Sequence, residues 1–283
     1  MSARALVTGA SGMLGSYVVA HLRDKGWRVR ALVRSAKGRS WLEEQGADLV
    51  VGSLEEADAL VGAAEGCDVI FHTAAAIGSG GDWDAFHQGN VEGTANVVRA
   101  AEVSGARLVH VSSTAVYGHD RYRAEPTDEH VPLPRLPDHD VYGRSKQDAE
   151  RLVLTAHEEG RIWAAAVRPP VMYGCRDRQF APRIGPVLAR GFFPLVGGGR
   201  TTLTLVHAGS VAEGMFLAAT SDLAGGKAYL LANDHPVTVM DLVRCAEKGL
   251  GRSIWAPEVP TSVGRAGFGT LKVALIAFGR GDL

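Results

Sequence analysis

The sequence predicts an α/β chain: a doubly wound parallel sheet with a small lobe toward the C-terminus. Three observations predict it. Short β-branched runs alternate with helical apolar patterns from the first residues onward. A glycine turn joins the first run to the first helix, and small or hydroxyl residues follow several later runs, where ligands sit in open parallel sheets. The 283 residues suffice for one large domain carrying a smaller lobe, and an apolar share of 46% supplies the core.

The first strand runs through Ala5-Leu6-Val7-Thr8 and stops at Gly9, and a helix with Leu14, Val18, Val19 and Leu22 on one face occupies residues 12–25. Gly9, Gly12 and Gly15 are spaced Gly-x-x-Gly-x-x-Gly, a variant of the dinucleotide fingerprint. Unpaired amides and the positive end of the helix dipole favour a phosphate there, so Gly9, Ser11, Gly12, Met13 and Leu14 are candidate cofactor contacts. A second strand, residues 28–33, ends at Arg34. An acid about 20 positions past the glycines would accept from a ribose 2′-hydroxyl. None stands between Val29 and Trp41, whereas Arg34, Lys37 and Arg39 do, a set suited to a 2′-phosphate. NADP(H) is therefore favoured over NAD(H); an ordinary solvated basic loop is the other reading.

A third strand covers residues 48–51, followed by Gly52-Ser53-Leu54 and a helix over 55–64. The fourth, 68–72, closes on Thr73, Ala74, Ala75 and Ala76, small enough for a flat ligand to lie against backbone, although Ala75 suits plain packing equally. After a Gly/Ser loop at 78–81, Asp82 is the expected N-cap of a long helix through Ser104. Asn90 and Gly93 lie within it, where both lower helix propensity; either Asn90 contacts the cofactor or a kink is being stabilised. The fifth strand, 108–113, runs into Ser112-Ser113-Thr114, and a loop broken by Pro126, Pro132, Pro134 and Pro137 follows. Tyr142 and Lys146 then share one face of a helix over 142–159. An ammonium beside a phenol is expected to draw its pKa down from about 10 and make it a general acid or base.

A net charge of −1 with scattered Lys and Arg points to a small-molecule ligand and to neither nucleic acid nor membrane. Cys67, Cys175 and Cys245 lack metal-ligand spacing, and no metal pattern appears among the ten histidines. Free thiols, and an N-terminus that enters the glycine turn at once, lead to a cytoplasmic expectation without an export signal. The apolar run at 273–278 is far short of the roughly 20 residues of a membrane span.

These residues together resemble the short-chain dehydrogenase/reductase superfamily, in its extended, epimerase/dehydratase branch. The resemblance rests on the Thr8 to Gly15 turn, Asn90-x-x-Gly93-Thr94, Ser112-Ser113 ahead of Val116-Tyr117-Gly118, Tyr142-x-x-x-Lys146, and Arg168-Pro169-Pro170-x-x-Tyr173-Gly174, in the family's order over residues 4–220. It implies a Rossmann fold with Ser113, Tyr142 and Lys146 as the catalytic trio, Ser113 being four residues before the tyrosine of Val-Tyr-Gly. Pro169 to Val171, after a sixth strand at 162–168, would flank the nicotinamide. The helices near 84–104 and 142–159 resemble the pair through which the family dimerises, so a homodimer is expected.

Three departures from the family pattern bear on substrate. Ser53 replaces the Asp often found before the adenine-holding Leu54, the Val206-His207-Ala208-Gly209-Ser210 segment lacks both expected acids, and Leu203 stands where a diphosphate-binding Arg is common in nucleotide-sugar enzymes. The expected activity is thus NADP(H)-dependent carbonyl reduction of a small non-nucleotide substrate, or the reverse oxidation, similar to the dihydroflavonol-reductase and 3β-hydroxysteroid-dehydrogenase-like members. The alternatives are a sugar-nucleotide epimerase or dehydratase with tightly bound NAD, and a non-catalytic dinucleotide sensor. Residues 1–170, rejoined by 202–232, are expected to form the dinucleotide-binding domain; 171–201 and 233–283, with Phe180, Phe192 and Phe193, the substrate lobe and tail. The aromatic pair suits core packing as well as a pocket.

Overall fold

A computed structural model describes residues 2–78, 82–118, 128–233 and 235–263. Part of the Gly/Ser loop at 78–81, Pro126, and the glycine-rich end at 264–283 with its apolar run lie outside these. The chain divides into two compact units, one of Met1–Pro170, Gly174–Arg176 and Val206–Leu231, the other of Val171–Tyr173, Asp177–Leu205 and Ala232–Leu283. The first unit is thus rejoined at Val206 rather than at 202.

In the first unit β1 (Arg4–Thr8) leads to α1 (Met13–Asp24), β2 (Arg28–Val33), the short α2 (Ser40–Glu44), β3 (Ala47–Val51), α3 (Ala57–Ala64) and β4 (Val69–His72). There follow α4 (Trp83–Phe86), a π-helical segment (His87–Glu92), α5 (Gly93–Ser104), β5 (Arg107–Val111), a 3₁₀ turn (Thr114–Tyr117), α6 (Val141–Glu158) and β6 (Ala164–Arg168). A seven-stranded sheet results, in the order Ala228–Leu230, β6, β5, β4, β1, β2, β3. Every pairing in it is parallel. Since β1 lies between β2 and β4, the chain reverses its direction of travel across the sheet beside β1, which opens a crevice at the carboxyl ends.

The central strands are buried on both faces, as parallel strands are when helices cover them: Leu6, Ile70 and Leu108 are fully buried and pack with Leu60 of α3, Val97 and Ala101 of α5, and Val153 and Ala156 of α6. α6 starts where the Asp140 carboxylate accepts from the Gly143 amide at 2.9 Å. Its buried face combines Ala149, Val153 and Ala156 with Lys146 and Glu150 at helical spacing, so two charged groups are carried into the interior.

The helix expected from Asp82 through Ser104 runs without a break from Trp83 to Ser104, but its ladder is not uniformly α. Asp82 does cap α4, its carboxylate accepting from the Asp84 amide, but residues 87–92 widen into a π turn. The Thr94 hydroxyl bonds back to the Asn90 carbonyl at 2.5 Å, and the Asn90 side chain turns away to backbone outside the helix. Local side-chain bonding here outcompetes the regular ladder.

The second unit contains α7 (Ala181–Ala189) and α9 (Val239–Leu250), with α8 (Ala208–Thr220) belonging to the first. Leu188, Leu195, Val243 and Ile254 form its small core, and Phe193 packs against them, while Phe192 is exposed beside Trp255. Among the described residues no helix is long and apolar enough to cross a membrane.

Candidate active site

The carboxyl end of the sheet is where most of the residues identified from sequence meet. Gly9 follows β1 at φ 68°, and a Cβ there would lie 2.7 Å from the Ala74 amide nitrogen. At Gly15 a Cβ would sit 2.2 Å from the Gly9 carbonyl oxygen, so α1 approaches the turn more closely than any side chain permits. Gly12, in contrast, is exposed and meets only the Gly9 oxygen, at 3.2 Å. α1 has no side-chain cap and no acid in its first turn. Open space over Gly12 and an uncapped helix start fit a pyrophosphate, with Ser11 and Met13 beside it; Leu14 is buried and offers only its backbone.

Thr73 and Ala74 line the same turn. The Thr73 hydroxyl donates to the Thr8 carbonyl at 2.7 Å, and Ala75 and Ala76 follow half-buried. Asn90 is buried: its Oδ1 accepts from the Ala76 amide at 2.7 Å, and its Nδ2 donates to the Ala76 carbonyl and to the Ser145 hydroxyl. Asn90 thus ties the 73–76 segment to α6. Arg34 stands exposed past β2, and Ser53 donates its amide to Glu56. Leu54 packs on the core and is crossed by Gly93. Pro169 follows β6, its carbonyl accepting from the Thr114 amide at 3.1 Å. Val171 is exposed and belongs to the second unit.

The fifth strand expected over 108–113 stops at Val111; Ser113 lies two residues past β5 and caps the 3₁₀ turn, its Oγ accepting from the Ala115 amide at 3.1 Å, beside the Tyr142 phenol. Lys146, one turn further along α6, is buried and donates to the Val111 carbonyl at 2.6 Å. The electrostatics differ from expectation. The Tyr142 pKa lies above its ordinary value, since burial raises it and the Ser113 hydroxyl only partly opposes this. Lys146 does not lower it: its ammonium is directed at a strand carbonyl, and burial pushes its own pKa down to about 8 against the opposing Glu150 charge.

Sequence reasoning missed two buried polar groups under this site. Glu150 accepts a bidentate pair from Arg168, Nε to Oε2 at 2.9 Å and Nη2 to Oε1 at 2.6 Å, and the third arm of Arg168 donates to the Tyr117 hydroxyl at 2.6 Å. One ion pair thus fastens α6, β6 and the turn after Ser113. Its only sequence signal was the helical spacing of Glu150 from Lys146.

The second group is His72. The Thr94 hydroxyl spends its proton on the Asn90 carbonyl, so its oxygen accepts from His72 Nε2, and Nδ1 accepts from the Thr8 hydroxyl at 2.7 Å. This joins the glycine turn to the π segment through a neutral imidazole. Burial and the Lys146 charge hold the His72 pKa at about 3, and the adjacent His110 is likewise well below normal. Neither state binds a proton at these sites above pH 6.5; below it the unfolded chain does and the folded chain resists. Stability is therefore expected to fall as pH drops from 6.5 toward 3, by about 1.4 kcal/mol per pH unit for His72, with His110 acting in the same direction. Urea melts down this range should show it, and His72→Gln should flatten the slope; an unchanged slope would exclude His72 as the source.

The sequence profile of a family described as NAD dependent epimerase/dehydratase matches residues 5–232. A protein of Stigmatella aurantiaca named 4-hydroxy-2-methyl-3-oxo-4-farnesyl-3,4-dihydroquinoline-1-oxide ketoreductase is 35% identical, the alignment covering 98% of this chain and 87% of that one. A 2-alkyl-3-oxoalkanoate reductase of Stenotrophomonas maltophilia (strain K279a) is 31% identical over 91% of this chain and 78% of its own. Among solved structures, a short-chain dehydrogenase/reductase superfamily protein from Agrobacterium tumefaciens with bound NAD matches with a TM-score of 0.75 at 26% identity, covering 91% of this chain and 86% of that one. The chain belongs to the NAD-dependent epimerase/dehydratase family, the extended branch of the short-chain dehydrogenase/reductases, and is an enzyme of that class.

Proposed function

We propose that the protein is an NADP(H)-dependent carbonyl reductase acting on a small ketone, with Ser113, Tyr142 and Lys146 as its catalytic residues. The observation that carries this reading is Ser113, just past the carboxyl end of β5, beside the Tyr142 phenol, with buried Lys146 one helical turn away. When bound, the nicotinamide supplies the hydride. Ser113 orients the substrate oxygen, and Tyr142 delivers a proton to it. A phenol held above its usual pKa is fully protonated at neutral pH, which favours the reducing direction. Lys146, with a pKa of about 8, is still mostly cationic there and carries its charge one helical turn from the phenol.

The compounds for which both relatives are named carry a 3-oxo group beside a 2-alkyl or 2-methyl carbon, so a 2-substituted 3-oxo compound is the inferred substrate class. NADP(H) is preferred on the strength of exposed Arg34 and the lack of an acid from Val29 to Trp41. Free Cys67, Cys175 and Cys245 suit a cytoplasmic setting, and α5 and α6 suit a homodimer contact.

The test mixes purified protein with NADPH and a panel of 2-alkyl-3-oxo acids, simple ketones and nucleotide sugars, following loss of reduced nicotinamide, with light scattering on the same preparation to read a dimer. Turnover on the oxo compounds is expected. Co-purifying NAD, with sugar-nucleotide conversion and no net NADPH loss, would overturn the reading in favour of an epimerase or dehydratase.

A further inference from the structure

The segment Gly174–Arg176 belongs to the first unit, although it lies far along the chain from α1 and α2. It is pinned to α1: the Cys175 amide donates to the Tyr17 hydroxyl at 3.0 Å, and Gly174 sits against the Tyr17 ring, where a Cβ would come within 3.0 Å. The next residue, Arg176, adopts φ 65°, a left-handed conformation found at no other non-glycine residue among those described. Strain of this kind persists where the surroundings fix it, and here it aims one side chain. The Arg176 guanidinium lies over the Trp41 ring, 3.5 Å from its centroid.

Trp41 lies in the first turn of α2, two residues after Arg39 and seven after Arg34, which follows β2 directly. Arg176 therefore joins the basic segment of Arg34, Lys37 and Arg39. Within that segment the Arg39 Nε is buried with no hydrogen-bond partner, an unspent donor facing inward. The acids nearest in sequence, Glu43 and Glu44, come only after Trp41.

We propose that Arg176, presented by Trp41, is a fourth cation of the adenosine pocket and binds the 2′-phosphate of NADP(H). This rests on the NADP(H) reading above and adds to it a specificity residue outside the β2 loop. A planar guanidinium stacked on an aromatic face keeps its edge N–H groups available, which matches a phosphate bidentately. Tyr17 fixes the backbone, Trp41 fixes the plane, and the neighbouring arginines supply the remaining charge.

The test is calorimetry of the full chain with NADPH, NADH, adenosine 2′,5′-bisphosphate and 5′-AMP, without turnover. Wild type is expected to bind NADPH and the bisphosphate more tightly than NADH and 5′-AMP. Arg176→Ala should weaken NADPH and the bisphosphate by about tenfold or more, the range of a charge-assisted hydrogen bond, and leave NADH and 5′-AMP within about twofold. Trp41→Leu should move NADPH affinity the same way by less, and both variants should keep the wild-type melting temperature. An equal loss for both dinucleotides would place Arg176 on the pyrophosphate and overturn the proposal, as would unchanged NADPH affinity in the variant. A wild type that binds NADH as tightly as NADPH would instead remove the NADP(H) reading itself.

Discussion

Glu150→Ala is expected to lower the unfolding free energy by about 3–5 kcal/mol, because it leaves the Arg168 guanidinium buried and unpaired. Only 7% of the Arg168 side chain and 3% of the Glu150 side chain are accessible, so water cannot replace the lost partner. Arg168 would also lose the anchor that aligns its third arm on Tyr117, and the 3₁₀ turn behind Ser113 would loosen. The comparison that isolates the cause is the double variant Glu150→Leu/Arg168→Met. Removing both charges removes the desolvation cost along with the attraction, and most of the stability should return. Urea denaturation of the single and double variants measures this. A loss below about 1 kcal/mol for Glu150→Ala would show the pair behaving as a solvated surface bridge.

Tyr142→Phe should reduce kcat on the preferred ketone by about 10²–10⁴, the usual worth of a positioned general acid, while NADPH affinity stays within about twofold. The phenol packs at 6.1 Å from the Phe86 ring and is partly buried, so losing one oxygen leaves its packing intact. In the unaltered enzyme the rate of reduction should fall as pH rises through about 8, where Lys146 gives up its proton. The phenol keeps its own proton to higher pH, since burial raises its value. Stopped-flow turnover across this range, with calorimetry for the nucleotide, separates the two residues. A Tyr142→Phe enzyme with full turnover would remove the phenol from the chemistry.

Several features were legible because they are local. The Gly9 to Gly15 turn needs glycine for reasons present within seven residues, namely a positive φ and the close passage of α1 over the Gly9 carbonyl. The runs that became β1, β2, β4, β5 and β6 announced themselves by apolar β-branched composition and by their bounding turns. Tyr142 and Lys146 were placed on one face by helical spacing alone. In the helix after Asp82 the low propensities of Asn90 and Gly93 pointed to an irregularity, but not to its form: that Thr94 and Asn90 redirect the ladder into a π turn came only with the structure.

The sequence by itself determined the α/β alternation, the glycine turn and the Tyr–Lys spacing, since each depends on neighbours a few residues apart. Only the tertiary structure decided that the Lys146 ammonium goes to the Val111 carbonyl, that the Tyr142 phenol becomes less acidic, that Glu150 meets Arg168, and that Arg176 lies on Trp41. These depend on which strand ends and loops the sheet order brings together. They depend equally on how much water the assembled interior excludes, and neither property belongs to any short stretch of chain.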